Sequence, residues 1–183
     1  MKNRFFIIYL IYFFVAGSSQ LFATESNLFK GITHFHNNVR ATHYQTPLSW
    51  SDHLANYATQ WVNHLATTKN CAMIHRPNKG NSPFKQVYGE NLFWASPEVF
   101  SDGETLLQDI DIKDVFQAWA EEESFYNYQT NTCQQGKDCG HFTQIVWHET
   151  QKVGCAMAIC PDMSQIWACN YSPRGNYIGE WPY

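Results

Sequence analysis

The fold class of this chain is decided by two apolar runs near its C-terminus, VGCAMAIC at residues 153–160 and QIWACNY at residues 165–171. Both runs have the composition of β-strands. The intervening PDMS at residues 161–164 has the composition of a turn. This stretch is therefore predicted to form a β-hairpin, an antiparallel pair of strands.

The segment just before the hairpin, HFTQIVW at residues 141–147, also has strand composition. Because side chains alternate along a strand, this interpretation places His141, Thr143, Ile145 and Trp147 on one face. The sequence thus predicts a further strand ahead of the hairpin.

Helices are predicted in the earlier part of the chain. Residues 27–43 and 112–124 have helical patterns, and another helix begins at Ser51 and Asp52. The apolar residues of this last helix recur at steps of three and four: Leu54, Tyr57, Ala58, Trp61 and Leu65. Helices first and strands last is the order of an α+β layered domain with an antiparallel sheet.

The N-terminus resembles a signal peptide. A basic n-region precedes an apolar run, residues 5–16, that is too short to span a bilayer. Small residues offer two cleavage regions, so the mature chain is expected to begin between residues 19 and 24. We assign residues 1–23 to the signal peptide and 24–183 to one domain; the alternative is an uncleaved anchor. Export is therefore expected, to the extracellular space or, in a bacterium, to the periplasm.

Composition excludes some classes of function. The 183-residue chain has 12 Lys and Arg against 16 Asp and Glu. Removal of the signal peptide takes away Lys2 and Arg4 and leaves ten basic against 16 acidic residues, a formal net charge of −6. Binding of nucleic acid or of an anionic membrane by bulk charge is therefore disfavoured.

Six cysteines follow the leader, and an even number in an exported chain indicates three disulfides. Fifteen pairings are possible. The alternative is a metal cluster or free thiols, but the paired CxxC spacing of zinc sites does not occur. The residues are Cys71, Cys133, Cys139, Cys155, Cys160 and Cys169.

Four polar residues stand where folding alone does not require them: His75, Glu90, Glu122 and His141. Neutral imidazoles bind transition metals, and carboxylates either join the coordination shell or orient an imidazole. The same groups serve as general acids and bases. No pair has the spacing of a helical metal motif such as HExxH, so each residue alone is explained by ordinary hydrogen bonding.

Seven motifs surround these residues: HNNVR at 36–40, LSW at 48–50, GENL at 89–92, WAEE at 119–122, GHFTQIVW at 140–147, GCA at 154–156 and CNYSPRGNY at 169–177. In this order they resemble the CAP superfamily of cysteine-rich secretory, antigen 5 and pathogenesis-related class 1 proteins, also called the SCP domain. The resemblance covers essentially the whole mature chain and follows the plant class 1 pattern.

This resemblance implies a three-layer α-β-α sandwich with a central antiparallel sheet and disulfide-stapled loops. It also implies that the four polar residues converge in a central cavity, where His75 and His141 hold a divalent metal, zinc among others. By the plant pattern the cysteines pair as Cys71–Cys160, Cys133–Cys139 and Cys155–Cys169. Because Cys71 and Cys139 closely precede the cavity histidines, these bridges are expected to anchor the segments that carry them.

A binding protein rather than an enzyme is implied, because no accepted reaction unites the family. Members are implicated in binding sterols and other lipids, and plant members in defence. The implied ligands are therefore a divalent metal and a lipid or sterol-like molecule. The aromatic loop of Phe125, Tyr126 and Tyr128 matches a region where some members are thought to bind sterol, and ordinary aromatic packing is the alternative.

Two other functions stay open. A zinc-dependent hydrolase or protease would use the two histidines as ligands and Glu90 or Glu122 to activate water. An interaction or signalling protein would use the fold as a scaffold that binds a host or cell-surface protein. The tail, residues 173–183, resembles a peptide released as an immune signal in plants, but Ser172 replaces the usual aspartate. The alternative is a terminal segment that packs on the sheet.

Overall fold

The structure, a computed structural model, describes residues 23–183. Residues 1–22 of the predicted signal peptide lie outside this range. Within the described range no helix has the length and apolar character needed to cross a bilayer. The helices are α1 (Ile32–Thr42), α2 (Asp52–Thr68), α3 (Ile112–Ala120) and α4 (Gly140–Ile145). The strands are β1 (Ser49–Trp50), β2 (Gly89–Ala95), β3 (Glu98–Val99), β4 (Thr105–Leu106), β5 (Tyr126–Asn127), β6 (Thr132–Cys133), β7 (Lys152–Ile159) and β8 (Gln165–Ser172).

Four strands form the central sheet in the order β1-β7-β8-β2. β7 and β8 are the predicted hairpin, with Val153 opposite Tyr171 and Ile159 opposite Gln165. β2 pairs antiparallel with β8, whereas the two-residue β1 runs parallel to β7. The sheet is therefore mixed: three antiparallel strands and one short parallel strand at an edge.

The two faces of the sheet carry different side chains because residues alternate along each strand. On one face, Ala156 and Ile166 pack with the apolar stripe of α2. On the other, Val153, Trp167 and Tyr171 pack with side chains of α1, α3 and α4. The domain is thus the predicted α-β-α sandwich, with a buried sheet between two helical layers.

Gly154 of β7 sets the separation between α2 and the sheet. A Cβ atom at this position would overlap the backbone of Ser51 and Ala55 at the start of the helix. The hydroxyl of Ser51 caps the same helix end by accepting a hydrogen bond of 3.4 Å from the N–H of Leu54. The predicted start of this helix is confirmed, and the glycine is explained by close packing.

The strand predicted at residues 141–147 is wrong. Gly140–Ile145 form the short helix α4, because tertiary contacts override the strand-like composition. Phe142 and Ile145 are fully buried, and a spacing of three residues puts both on one face of a helix but on opposite faces of a strand. His141 consequently lies in the first turn of a helix.

A buried arginine binds the C-terminal end of α4. Arg40 of α1 is inaccessible to solvent. Burial lowers the pKa of its guanidinium to about 10, so the group remains a cation at neutral pH. The last carbonyls of a helix lack partners within it, and Arg40 supplies donors there. It binds four backbone carbonyls, those of Thr46, Ile145, Trp147 and Thr150, at 2.7–3.1 Å.

Two predicted helices are shorter than expected. The helix predicted at residues 27–43 is interrupted at Gly31, whose φ of 93° is left-handed, and α1 begins only at Ile32. The helix predicted at residues 112–124 ends at Ala120 and continues as a 3-10 turn, Glu121–Phe125. Glu122 therefore lies in a tight turn that follows α3.

Three disulfides join Cys71 to Cys160, Cys133 to Cys139 and Cys155 to Cys169. These are the pairs that the family resemblance implies. The first ties the end of α2 to the end of β7, the second closes the loop before α4, and the third links β7 to β8. All six cysteines are paired, so a cysteine metal cluster is excluded.

Candidate functional site

The first histidine–glutamate pair lies where α4 meets the 3-10 turn. His141 Nδ1 is 2.6 Å from Glu122 Oε1. Glu122 Oε2 accepts hydrogen bonds from the backbone N–H of His141 at 2.9 Å and of Phe142 at 3.3 Å. Trp119 stacks on the imidazole with ring centroids 5.9 Å apart. The position of His141 is therefore fixed on three sides.

The second pair joins the loop after α2 to β2. His75 Nδ1 is 2.8 Å from Glu90 Oε1, which also accepts a hydrogen bond of 3.1 Å from the N–H of Arg76. The Glu90 side chain is fully buried, whereas 56% of the His75 side chain is exposed. A buried carboxylate thus holds an accessible imidazole in one orientation.

Arg76 supplies the counter-charge for Glu90. Its Nε lies 3.7 Å from Glu90 Oε2, and its guanidinium sits 3.7 Å from the centroid of the Tyr57 ring and 5.3 Å from that of Trp61. The guanidinium also donates to the backbone carbonyl of Tyr57. Nothing in the sequence distinguishes Arg76 from a solvated arginine, yet only 1% of its side chain is exposed.

Both histidines line one cavity of about 300 Å³, together with Glu90 and Asn91. Glu122 is not among the lining residues, since it contacts the Nδ1 side of the His141 ring. A second cavity of about 590 Å³ shares His75 and Glu90 with the first. The structure therefore brings the four predicted residues together as two pairs, with both imidazoles at one cavity.

The hydrogen bonds fix which ring nitrogen is free to bind a metal. A carboxylate only accepts, so Nδ1 of each neutral imidazole carries the proton and Nε2 keeps its lone pair. In the part of the chain that the structure describes, neither Nε2 has a hydrogen-bond partner. A carboxylate behind each imidazole is the usual support of a histidine metal ligand.

Among residues 23–183, no group of three or more His, Cys, Asp or Glu side chains is arranged to hold a metal. The donor set fits a cation bound by two imidazole nitrogens, with water or an external ligand in the remaining positions. The two glutamates fit a supporting role, because their oxygens face the Nδ1 atoms and backbone amides.

Asn91 connects the cavity to the core. Its Nδ2 donates to the backbone carbonyl of His141 at 3.1 Å and to the hydroxyl of Tyr171 at 3.2 Å. That hydroxyl lies 2.9 Å from Nε2 of His36, whose Nδ1 binds the carbonyl of Ile32. Burial lowers the pKa of His36 to about 4, so the ring is neutral and Tyr171 donates to it. A buried chain of hydrogen bonds thus reaches the backbone of His141.

The three aromatic residues of the predicted ligand loop lie in different surroundings. Phe125 lines a cavity of about 690 Å³ that runs along the end of α3 and the 3-10 turn. Tyr126 instead donates a hydrogen bond of 2.7 Å to Asn131, and Tyr128 stacks on Tyr183 with ring centroids 4.7 Å apart. Packing within the chain therefore accounts for the two tyrosines. The ammonium of Lys137 lies 4.5 Å from the centroid of the Phe125 ring, so the rest of that ring is the candidate ligand contact.

The tail, residues 173–183, packs within the domain, as the alternative to a released peptide expects. Its hydrogen bonds at Gly175 and Asn176 are to α4 rather than to the sheet. The N–H of Gly175 donates to Gln144 Oε1 at 2.9 Å. Asn176 Nδ2 donates to the carbonyl of Gly140 at 2.8 Å, and Asn176 lines the cavity of the two histidines. The tail thus forms part of the cavity wall.

Fold and site together define a class: a disulfide-linked α-β-α sandwich with two histidine–glutamate pairs at one cavity. Comparison with known proteins gives the family. Residues 33–171 match CAP, the Cysteine-rich secretory protein family. The chain therefore belongs to the CAP family, as its motifs predict.

Plant pathogenesis-related proteins are among its sequence relatives. The chain is 40% identical over 148 residues to Pathogenesis-related protein PR-1 of Medicago truncatula, covering 80% of this chain and 74% of that protein. It is 33% identical over 181 residues to Pathogenesis-related protein 1C of Nicotiana tabacum, covering 99% and 95%. These relatives agree with the plant class 1 pattern seen in the motifs.

Solved structures share the fold at lower identity. Schistosoma mansoni venom allergen-like protein 4 matches with a TM-score of 0.58 and 24% identity, covering 87% of this chain and 95% of that one. NaASP2, whose crystal structure was determined with Zn²⁺, matches with a TM-score of 0.62 and 20% identity, covering 87% and 86%. At these identities the likeness extends to the fold alone.

Proposed function

We propose that this protein is a secreted binding protein that holds a divalent cation on Nε2 of His75 and of His141. Zinc is the leading candidate for this cation. One observation carries the proposal: both imidazoles line one cavity, and a carboxylate occupies Nδ1 of each. Glu90 and Glu122 keep the rings oriented and raise their basicity. The bound cation would supply a Lewis acid for an oxygen-donor ligand in the cavity.

Secretion is supported by the chemistry of the cysteines. All six form disulfides, and such bonds persist in oxidising compartments. The basic and apolar N-terminal segment supports the same proposal. The name of the matching family also refers to secretory proteins.

A hydrolase is less well supported than a binding protein. Glu90 is fully buried, and its oxygens face His75 Nδ1, the N–H of Arg76 and the Arg76 guanidinium. Glu122 likewise accepts from His141 Nδ1 and from backbone N–H groups. Both carboxylates are used to position other groups, so neither is placed as a base toward water in the cavity.

Thermal unfolding with and without zinc tests the cation proposal. Zinc at 100 times its dissociation constant should stabilise the native state by about 2.7 kcal/mol, which raises Tm by about 5–10 °C for a domain of this size. The double variant H75A/H141A should show no zinc-dependent shift. An equal shift in the double variant would rule out the cavity as the zinc site.

We propose lipid or sterol uptake as a second, separate function. It is supported by the open groove of about 690 Å³ that Phe125 lines with Ala118 and Ala120, and whose polar side is formed by Glu121–Glu123. Ligand pockets typically have volumes of about 300–1,000 Å³. Burying a phenylalanine ring against a ligand contributes about 1.5–3 kcal/mol. Phe125 is therefore the residue on which this function depends most.

Retention of labelled cholesterol by the purified protein tests lipid uptake. The variant F125S should bind about tenfold more weakly than the wild type, because it loses the contact of the ring. Tyr44, which is 97% exposed, provides the control variant Y44S, and its affinity should be unchanged. Equal retention by the wild type and F125S would refute uptake at this cavity.

A further inference from the structure

A small hairpin after β2 carries exposed apolar side chains. Among residues 23–183, β3 and β4 pair only with each other, and none of residues 98–107 belongs to a buried core. The exposed apolar residues, with their exposed fractions, are Trp94 (44%), Val99 (71%), Phe100 (46%), Leu106 (43%) and Leu107 (41%). Single exposed apolar residues are ordinary, but five of them within 14 residues of the chain favour an interaction surface. We call Trp94 and residues 98–107 the hairpin surface.

The segment that carries this surface has no cationic side chain. Residues 86–112 contain no Lys, Arg or His. Four acidic side chains are exposed between residues 98 and 109: Glu98, Asp102, Glu104 and Asp109. None of the four forms an ion pair within the part of the chain that the structure describes. Their charge is therefore free to meet a cationic partner.

The register of the hairpin places acidic and apolar side chains on the same face. Glu98 lies directly opposite Leu106, and the N–H of Phe100 donates to the carbonyl of Glu104 at 2.9 Å, so these two are also opposite. Directly opposite residues share a face, and so do residues two apart on one strand. One face thus presents two carboxylates and two apolar side chains in alternation.

We propose that the hairpin surface docks a basic protein segment whose apolar side chains alternate with Lys or Arg. A neutral bilayer would cover the apolar residues but leave the carboxylates without partners, and an anionic bilayer would repel them. A second copy of this chain would bring the same acidic hairpin to the contact. Only a basic and apolar segment complements both features, and β3 and β4 also offer open strand edges to it.

This surface is separate from the proposed cation site. None of residues 94–107 lines the cavity of the two histidines. Leu92 is the last residue of β2 that lines it, and six residues lead from there to Glu98, where the hairpin begins. Docking is therefore independent of the cation, and H75A/H141A should dock normally. Failure of one proposal leaves the other intact.

Amide chemical shifts of the isotope-labelled protein, titrated with an alternating Lys–Val octapeptide at low salt, test the proposal. The shift changes should be confined to residues 94–109. E98K/E104K should weaken binding about tenfold, because two attractive charges become repulsive. F100S/L106S should also weaken binding, through loss of apolar contact. E149K/E180K changes two exposed acids outside the surface by the same net charge and should bind like the wild type.

Three results would overturn the proposal. In the first, the peptide shifts map elsewhere, or E149K/E180K weakens binding as much as E98K/E104K does. In the second, the protein sediments with phosphatidylcholine vesicles and F100S/L106S abolishes this, which would make the surface a membrane contact. In the third, the wild type dimerises in sedimentation velocity and F100S/L106S does not, which would make it a self-contact.

Discussion

Replacement of either His75 or His141 by alanine is expected to lower the affinity for zinc by more than about 100-fold. Each change removes one of two imidazole ligands from the cavity. Loss of a residue that only supports a ligand already costs about 10–100-fold, so loss of the ligand itself must cost more. Isothermal titration of the metal-free variants with zinc measures the effect.

Replacement of the supporting glutamates should lower the zinc affinity by less than replacement of the histidines does. E90Q and E122Q keep an oxygen that accepts from Nδ1 but remove the charge, so a loss of about 10–100-fold is expected. His64 is a half-buried histidine of α2 that stacks on Phe84 and does not line the cavity, and H64A is the matched control. Affinity that is unchanged in H75A or H141A, or reduced equally in H64A, would contradict zinc binding at the cavity.

The variant R40A is expected to lower the free energy of unfolding by about 3–5 kcal/mol. Arg40 is inaccessible to solvent and donates to four backbone carbonyls at the end of α4 and in the loops beside it. Alanine leaves these acceptors buried without donors and leaves a cavity where the side chain was. Urea unfolding monitored by tryptophan fluorescence measures the loss.

An exposed arginine provides the control for this prediction. Arg174 is exposed and donates a hydrogen bond to the hydroxyl of Tyr177, so R174A should change stability by less than about 0.5 kcal/mol. If R40A is destabilised by less than about 1 kcal/mol, then the carbonyls at the end of α4 do not depend on the guanidinium.

Local pattern was enough to predict the parts of the fold with a clear period. The hairpin of β7 and β8 and the start of α2 follow from alternation and from capping at Ser51. β2 was not predicted, because Gly89–Leu92 are all buried and show no alternation. α4 was predicted as a strand because its composition is strand-like, and only packing of Phe142 and Ile145 shows that it is helical.

For the candidate site, too, the sequence predicts one part and the tertiary fold determines the rest. The two histidines and two glutamates were identified by their motifs, whereas their arrangement as His75–Glu90 and His141–Glu122 pairs depends on the tertiary fold. Arg76 could not be predicted as the partner of Glu90. The enclosure of its guanidinium by Tyr57 and Trp61 involves residues 15 to 19 positions away, and no local pattern specifies it.

The most direct test of the cation site is an anomalous difference map from crystals grown with equimolar zinc and measured at the zinc absorption edge. The proposal predicts one strong peak in the shared cavity, about 2.0–2.1 Å from Nε2 of both His75 and His141. A peak on Nδ1, a peak on one histidine alone, or zinc bound only elsewhere on the protein would contradict it.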